Sequence, residues 1–459
     1  MAEPFTALIM AAGHGTRMRS RLPKVLHPVC GMTMVEWVID AAREAGAQEV
    51  VCVVRPGEGV AEGLPQNVIV AEQREGEGTG AAVLAAREAI VPERPLAVLS
   101  ADHPLVTAEV VSGLIAAHAV EQAAATVLTT DTLDPAGYGR VIRRADGAFE
   151  AIVETKHTDG LAAEVLATRE INLGTYVFQP DSLFRALEQV EPLDGEVYLT
   201  GAITAFAADG RVATTATADA DVARGVNTRA DLMAIEQLAR RRLIAAHGRN
   251  GVTFVAPDSV ELHAGVTIGE DTRIGVGATL LGATAIGAGC DIGPHVTTND
   301  ATLGDRVGVA HSVLIECEVA DEASIGPFAY LRPGARIGPR AKIGAFVEVK
   351  NSVIGEGAKV PHLSYLGDAD VGEGANVAAG NITANYDGRD KHRTAIGQDV
   401  KTGVHTSFVA PVSVGDRAYT GAGSVIVEDV PEGALGISRP QQRNVEGYAQ
   451  RVEEEEPSP

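Results

Sequence analysis

The stretch VTIGEDTRIGVGATLLGATAIGAGCDIG, residues 266–293, decides how the second half of this chain folds. Its aliphatic residues Ile268, Ile274, Leu280, Ile286 and Ile292 fall six positions apart, and Gly269, Gly275, Gly287 and Gly293 follow four of them. The beat returns in Ile325, Leu331, Ile337, Ile343 and Val349, and again in Ile396, Thr402, Phe408, Val414, Thr420 and Ile426. An α-helix repeats every 3.6 residues and a half-buried strand every two, whereas a hexapeptide β-solenoid repeats every six. In such a coil the aliphatic side chain enters a narrow prism, and the glycine behind it permits the corner, some corners needing φ > 0. The beat has the character of a left-handed parallel β-helix, an exception to the usual right-handed crossover. It runs from about Val266 to Val430, with three hexapeptides to a triangular coil. At about 4.8 Å per coil, roughly nine coils give a column on the order of 40 Å tall. The register slips by one between Val349 and Ile354 and is lost between Val377 and Ile396. A long loop is therefore expected to leave the column there, and loops on rigid scaffolds tend to carry function.

At 459 residues the chain is long enough for two or three domains. Aromatic residues make up only 4% against 51 glycines, which suits a prism with no room for large rings. The net charge of −23 and a pI near 4.9 argue against nucleic-acid binding and against anionic membranes. Anionic small molecules remain open, because they need only a local basic or metal-bearing pocket. Cys30, Cys52, Cys290 and Cys317 form no C-x-x-C pair, so reduced thiols are expected rather than a disulfide framework or zinc site. The first ten residues do not read as a signal peptide, and no apolar run approaches the roughly 18 residues of a membrane span. A cytoplasmic protein without membrane insertion is expected.

The first half opens with a buried strand, Phe5 to Met10, running into Ala11-Ala12-Gly13-His14-Gly15-Thr16-Arg17-Met18 and then Leu22-Pro23-Lys24. A glycine-rich turn after a first strand brings backbone N–H groups against phosphates, and Arg17 and Lys24 add charge. The spacing G-x-G-T-R-M differs from the dinucleotide fingerprint G-x-G-x-x-G. Strands Val50–Val54, Val68–Val70 and Leu96–Leu99 alternate with helical stretches Val35–Ala45 and Gly80–Ala89, which predicts a mostly parallel sheet with helices on both faces. Asp102, in Ser100-Ala101-Asp102-His103-Pro104, closes a strand where open α/β sheets bind ligands, and it is a candidate Mg²⁺ ligand. Gly137 to Val141, Glu154-Thr155-Lys156 and Ile171 to Gly174 place polar groups on turns suited to sugar hydroxyls. Gly225-Val226-Asn227 precedes a helix from Asp231 to about His247, expected to join the two halves. Arg240-Arg241-Arg242 on it reads as a solvated face.

In the second half, Tyr330 to Gly334, Val349-Lys350, His362 to Asp368 and Asn381 to Arg393 gather residues too costly to bury in a prism. Together they read as an anion-binding site that contains a base. The tail Glu453 to Pro459 reads as disordered.

The motifs A-A-G-x-G-T-R-M…P-K-V-L-H, R-P-G-A, H-L-S-Y-L-G-D and N-Y-D-G occur here in order. On them the chain, from Ala7 to about Glu446, resembles the bacterial bifunctional N-acetylglucosamine-1-phosphate uridyltransferase/glucosamine-1-phosphate acetyltransferases. The resemblance implies a Rossmann-like α/β nucleotidyltransferase domain over 1–228, a linker helix over 229–250, an acetyltransferase β-helix over 251–446 and the acidic tail over 447–459. It implies that Ala11, Ala12 and Gly13 hold UTP, that Arg17 and Lys24 act on its phosphates, and that Gln73, Gly78 and Thr79 read uracil. Asp102 and Asn227 would ligate Mg²⁺, and Gly139, Glu154 and Asn172 would hold the sugar. In the β-helix, Arg332, Lys350 and Lys391 would clamp the phosphate of the acetyl acceptor, with Tyr365, Asn376 and Asn385 placing its sugar. His362 would be the general base, which an imidazole with a reference pKa of about 6.5 suits. Acetyl-CoA would meet Ala379, Asn385, Tyr386, Val404, Ala422 and Arg439 in a site formed between chains of a homotrimer.

There are departures from the family pattern. The uracil loop is longer, through Arg74 to Glu77, while Gly201 stands where Asp is usual, Val404 where Ser is usual and Ala378 where Gly is usual. Two other readings use the same modules: a sugar-1-phosphate nucleotidyltransferase with a regulatory β-helix, and a non-catalytic exchange-factor-like subunit. The first would not need His362 or the Asn385-Tyr386 loop, and the second could dispense with Lys24, Asp102 and Asn227.

Overall fold

The computed structural model describes residues 3–155, 161–192 and 195–455. Lys156, one of the turn residues noted above, lies outside them. The chain forms two compact units, Met1–Arg242 and Leu243–Pro459, and the division falls inside the helix Arg229–Arg249.

The first unit is built on a nine-stranded sheet. Phe5–Met10 lies at its centre, parallel to Ala47–Val54 on one side and to Leu96–Ser100 on the other. Ile171–Phe178 runs antiparallel between Leu96–Ser100 and Ala125–Thr130, so the sheet is mostly but not wholly parallel. The central strand is buried along nearly its whole length because helices cover both faces, which is why it reads as a continuous apolar run. The helix Met34–Glu44 starts on a capping box in which Thr33 and Glu36 satisfy each other's backbone N–H groups. The stretch expected as one helix from Gly80 to Ala89 is a short helix, Thr79–Ala85, followed by a 3-10 turn, Arg87–Ala89.

The second unit is a parallel β-helix with three ladders, of which the longest has ten strands. The predicted inward residues are buried from Ile274 onward, while Ile268 in the first run is only half-buried. Close approach of successive coils explains the glycines better than corner strain does. A Cβ on Gly269 would lie 2.6 Å from Ala288 N in the next coil, and one on Gly287 2.5 Å from Gly304 O. Most left-handed corner positions are instead held by other residues, among them Asp300, Arg306, His311 and Glu316. Corner rings stack outside the prism: His295, His311, Phe328 and Phe346 follow one another with centroids 5.3 to 5.5 Å apart.

The expected long loop between Val377 and Ile396 is shorter than its sequence suggests. The strands Ile382–Ala384 and Thr394–Ile396 both belong to the column, so only the segment between them departs. At one end of the column Leu243, Ile244 and Phe254 pack on the interior, and at the other Val425, Val427, Leu435 and Ile437 are exposed. The acidic end, expected to be disordered, carries the helix Tyr448–Glu455, a run of mostly good helix formers.

Candidate functional sites

In the first unit, the central strand delivers its glycine turn to the C-terminal edge of the sheet, where doubly wound folds bind ligands. Ala11 N–H is spent on Val53 O, and beyond it the N–H groups of Gly13, His14 and Gly15 take no intramolecular partner among the described residues. Gly13 faces open space, whereas Gly15, at φ +58, presses on Lys24, whose Cβ would be 2.6 Å from a Cβ there. The turn therefore fixes where the lysine stands. Lys24 Nζ lies 2.5 Å from Asp102 Oδ2, and Ser100 Oγ and His103 Nδ1 lie 2.7 and 2.8 Å from Asp102 Oδ1. Burial opposes ionisation of Asp102, but His103 and Lys24 outweigh it and hold the carboxyl far below the usual carboxylate range.

Arg17 Nη2 donates to Asn227 Oδ1 at 2.8 Å, and Val226 N–H donates to Asp102 O, which sets the two candidate metal ligands side by side. A helix cap fixes Asn227. The Asp231 carboxylate accepts from the N–H groups of Asn227 and Thr228, while Thr228 Oγ1 accepts from Asp231 N–H.

A cleft of about 240 Å³ is lined by Ala12, Gly13, Lys24, Gln73, Gly78, Thr79 and Asp102, together with His14, Arg55, Glu77 and Tyr198. Gln73 is buried and donates to Gly76 O. Gly78, at φ +95, has no room for a side chain, since a Cβ would meet Val197 O at 2.5 Å. Thr79 spends its hydroxyl on Leu199 N–H. The sugar candidates also cluster: Asn172 N–H donates to Gly139 O at 2.9 Å, and a Cβ on Gly139 would lie 3.6 Å from Glu154 Oε2. Asn172 Nδ2 donates to Tyr176 Oη, whose phenol burial holds well above its ordinary range. Gly201 sits in a helix where a Cβ would be 2.8 Å from Val190 Cγ1, so the aspartate usual there would have to displace Val190.

Arg55 and Glu77 escaped the sequence reading. Arg55 Nε donates to Ala12 O at 2.8 Å and its Nη2 pairs with Glu77 Oε2 at 2.5 Å, joining the phosphate turn to the lengthened uracil loop. The available signal was position, because Arg55 follows a strand parallel to the first one at the ligand-binding edge of the sheet.

In the second unit the candidates divide between two corners of the prism. Gly380 N–H donates to His362 O, His405 N–H to Ala379 O, Gly423 N–H to Val404 O and Arg439 Nη1 to Ala422 O. His362, Ala379, Val404, Ala422 and Arg439 thus form one vertical strip, with the exposed His362 at its top. The face bearing Tyr365–Gly367 separates this strip from the other corner. There Arg332 and Lys350 stand on successive rungs, Arg332 Nη1 2.8 Å from Glu348 Oε1 and Lys350 Nζ 3.4 Å from Asp368 Oδ2. Asn385 opens the departing segment at the same corner. Tyr386 and Lys391 pair antiparallel across that segment, and His392 Nε2 lies 2.8 Å from Asp387 Oδ2. Asn376 stands on a third ladder, between Lys359 and Lys401, and is not brought to Lys350 or Tyr365 within one chain.

A phosphate turn on a mixed α/β sheet joined to a hexapeptide column defines a nucleotidyltransferase fused to an acyltransferase. Residues 7–205 match the MobA-like NTP transferase domain, and residues 265–300 and 316–351 match the bacterial transferase hexapeptide. The chain is 44% identical to the bifunctional protein GlmU of Halalkalibacterium halodurans, over 96% of this chain and 98% of that one. It is also 44% identical to the GlmU of Mycolicibacterium vanbaalenii, over 97% and 92%, and to that of Caldanaerobacter subterraneus subsp. tengcongensis, over 98% and 98%. The chain belongs to the GlmU family. It is a bifunctional enzyme of UDP-N-acetylglucosamine synthesis, with uridylyltransferase and acetyltransferase activities.

Proposed function

We propose that the first unit binds UTP in the glycine-turn cleft and N-acetylglucosamine-1-phosphate beside Gly139, Glu154 and Asn172. The observation that carries this is the pairing of Lys24 with Asp102, which line that cleft, and of Arg17 with Asn227, next to the residue that donates to Asp102 O. Two cations already face the oxygens that would bind metal, so positive charge belongs there. Asp102 and Asn227 offer the hard oxygen donors that Mg²⁺ prefers, and they would hold it. When bound, the ion offsets charge on the phosphates. The sugar phosphate oxygen attacks the α-phosphorus in line and pyrophosphate leaves. Lys24 and Arg17 hold the charge that builds up, while Gln73, Gly78 and Thr79 position the base.

In the second unit, Arg332, Lys350 and Lys391 would hold the phosphate of glucosamine-1-phosphate and Tyr365 its sugar. His362, at the head of the Ala379–Val404–Ala422 strip, would take the proton from the amine as it attacks the thioester. The acetylated product is then the substrate of the first unit. Because the coenzyme strip and the phosphate clamp occupy opposite edges of one face, a neighbouring copy is needed to complete the site. This supports a homotrimer packed along the β-helices.

Incubation with glucosamine-1-phosphate, acetyl-CoA, UTP and Mg²⁺ should yield UDP-N-acetylglucosamine, pyrophosphate and free coenzyme. Acetylated sugar phosphate that accumulates with UTP present would overturn the first assignment. A light-scattering mass of a single chain with full acetyltransferase activity would overturn the trimer.

A further inference from the structure

We infer that Asp368 is a positioning residue for acetyl transfer, one buried carboxylate that holds both Lys350 and Asn385. The inference rests on the acetyl-transfer reading above. Asp368 turns the corner between the strands Tyr365–Gly367 and Ala369–Val371, at φ 49, and is only 4% exposed. Its Oδ1 accepts from Asn351 Nδ2 at 2.5 Å. Its Oδ2 accepts a short hydrogen bond from Asn385 Nδ2 and stands 3.4 Å from Lys350 Nζ. Its backbone N–H donates to Lys350 O at 3.0 Å, and its carbonyl accepts from Thr394 N–H at 3.1 Å. A single residue therefore ties its own coil to the coil before and the coil after.

The corner itself does not ask for a carboxylate. The equivalent corner one coil earlier is made by Asn351, at φ 45, and asparagine tolerates that conformation well. A buried charge is expensive unless paired, so a carboxylate here needs a reason beyond the turn. The reason on view is what it grips. Lys350 is a cation of the phosphate clamp, and Asn385 is the last residue before the segment that presents Tyr386 and Lys391.

The far end of that segment is tied both to Asp370 and back to Asn385. Arg393 Nε and Nη2 meet Asp370 Oδ2 and Oδ1 at 3.0 and 2.5 Å, and His392 N–H donates to Asn385 O at 2.9 Å. Asp368 thus sets the root of the segment and the clamp beside it from one point.

Asp368→Asn tests this with little strain on the corner. The amide has one acceptor oxygen where the carboxylate has two, so one of its former donors must face an NH₂ group. Hydrogen bonds to charged groups are strong enough that kcat/KM for acetyl transfer should fall roughly tenfold or more. Uridylyl transfer should not change. If Asp368 acts through its partners, the loss should shrink to about twofold or less when measured on top of Lys350→Ala with Asn385→Ala. A merely structural role would give the same loss in both backgrounds. Asp368→Gly, which suits the same φ, makes the comparison should the Asn variant not fold.

The proposal is overturned by an Asp368→Asn enzyme within twofold of wild type while Lys350→Ala and Asn385→Ala each lose more than tenfold, or by additive losses. If Lys350→Ala and Asn385→Ala both leave acetyl transfer intact, the site reading itself is wrong and this inference falls with it.

Discussion

Gly367→Ala should damage acetyl transfer without unfolding the column. A Cβ on Gly367 would lie 2.3 Å from Tyr365 Oη, 2.6 Å from Cζ and 2.8 Å from Cε1, so a methyl group and the phenol cannot coexist. The backbone will not give way, since Gly367 N–H and C=O both bond to Thr383 Oγ1, at 2.8 and 2.9 Å. The ring is the free end of a half-buried side chain, so the ring moves. Ordinary contact begins near 3.4 Å, so the phenol must retreat by about 1 Å. A misplacement of about 1 Å in a positioned site can cost about 10²-fold. We therefore expect kcat/KM for glucosamine-1-phosphate acetylation to fall by about 10- to 100-fold, with uridylyl transfer unchanged. Tyr365→Phe is the companion variant. A Gly367→Ala enzyme within twofold of wild type, beside a strongly impaired Tyr365→Phe, would refute the steric argument.

Asp102→Asn should lower uridylyl transfer by about 10²- to 10³-fold and spare acetylation, as expected for removing a charge that organises the transition state. Pyrophosphate release near the wild-type rate would end that assignment. His362→Ala should cost acetyl transfer about 10²- to 10⁴-fold. Retention of more than a tenth of kcat would move the role to His392, already paired with Asp387. His118 is buried, and desolvation holds its imidazole at about 4. Above pH 6.5 it is neutral in both the folded and unfolded chain, but as pH falls from 6.5 to 4 the unfolded chain takes up its proton first. The first unit should then lose up to about 3 kcal/mol, a loss absent from His118→Gln. Urea melts followed by the fluorescence of Trp37, the single tryptophan, would read this, and identical pH dependence in both proteins would count against it.

The column was legible because its inward residues obey a strict period wherever coils keep eighteen residues. Between Ile292 and Ile325 the period disappears, yet Thr298, Leu303, Val309, Leu314 and Val319 still point inward at steps of five or six. Left-handed corners at Asp300, His311 and Glu316 turn the chain with one residue fewer, and nothing in their composition announces it. The phosphate turn, Lys24 and Asp102 could be read because each sits at a strand end with its own chemistry. Arg55 also follows a strand end, but its meeting with Glu77 could not be read, since it depends on strand order across the sheet. Likewise the separation of Asn376 from Lys350 depends on which ladder each residue joins, and residue type does not disclose that.

A stack of near-identical coils has no intrinsic length. Each rung offers the next a row of open amides and carbonyls, so a column of this kind grows until something stops it. At the first end Leu243, Ile244 and Phe254 provide the stop. At the last, the closing strand Leu435–Gly436 lies between Pro431 and Pro440, residues that donate no backbone hydrogen bond. The apolar Val425, Val427, Leu435 and Ile437 remain uncovered around it. Prolines on either side of the last rung thus take donors away from a self-templating surface.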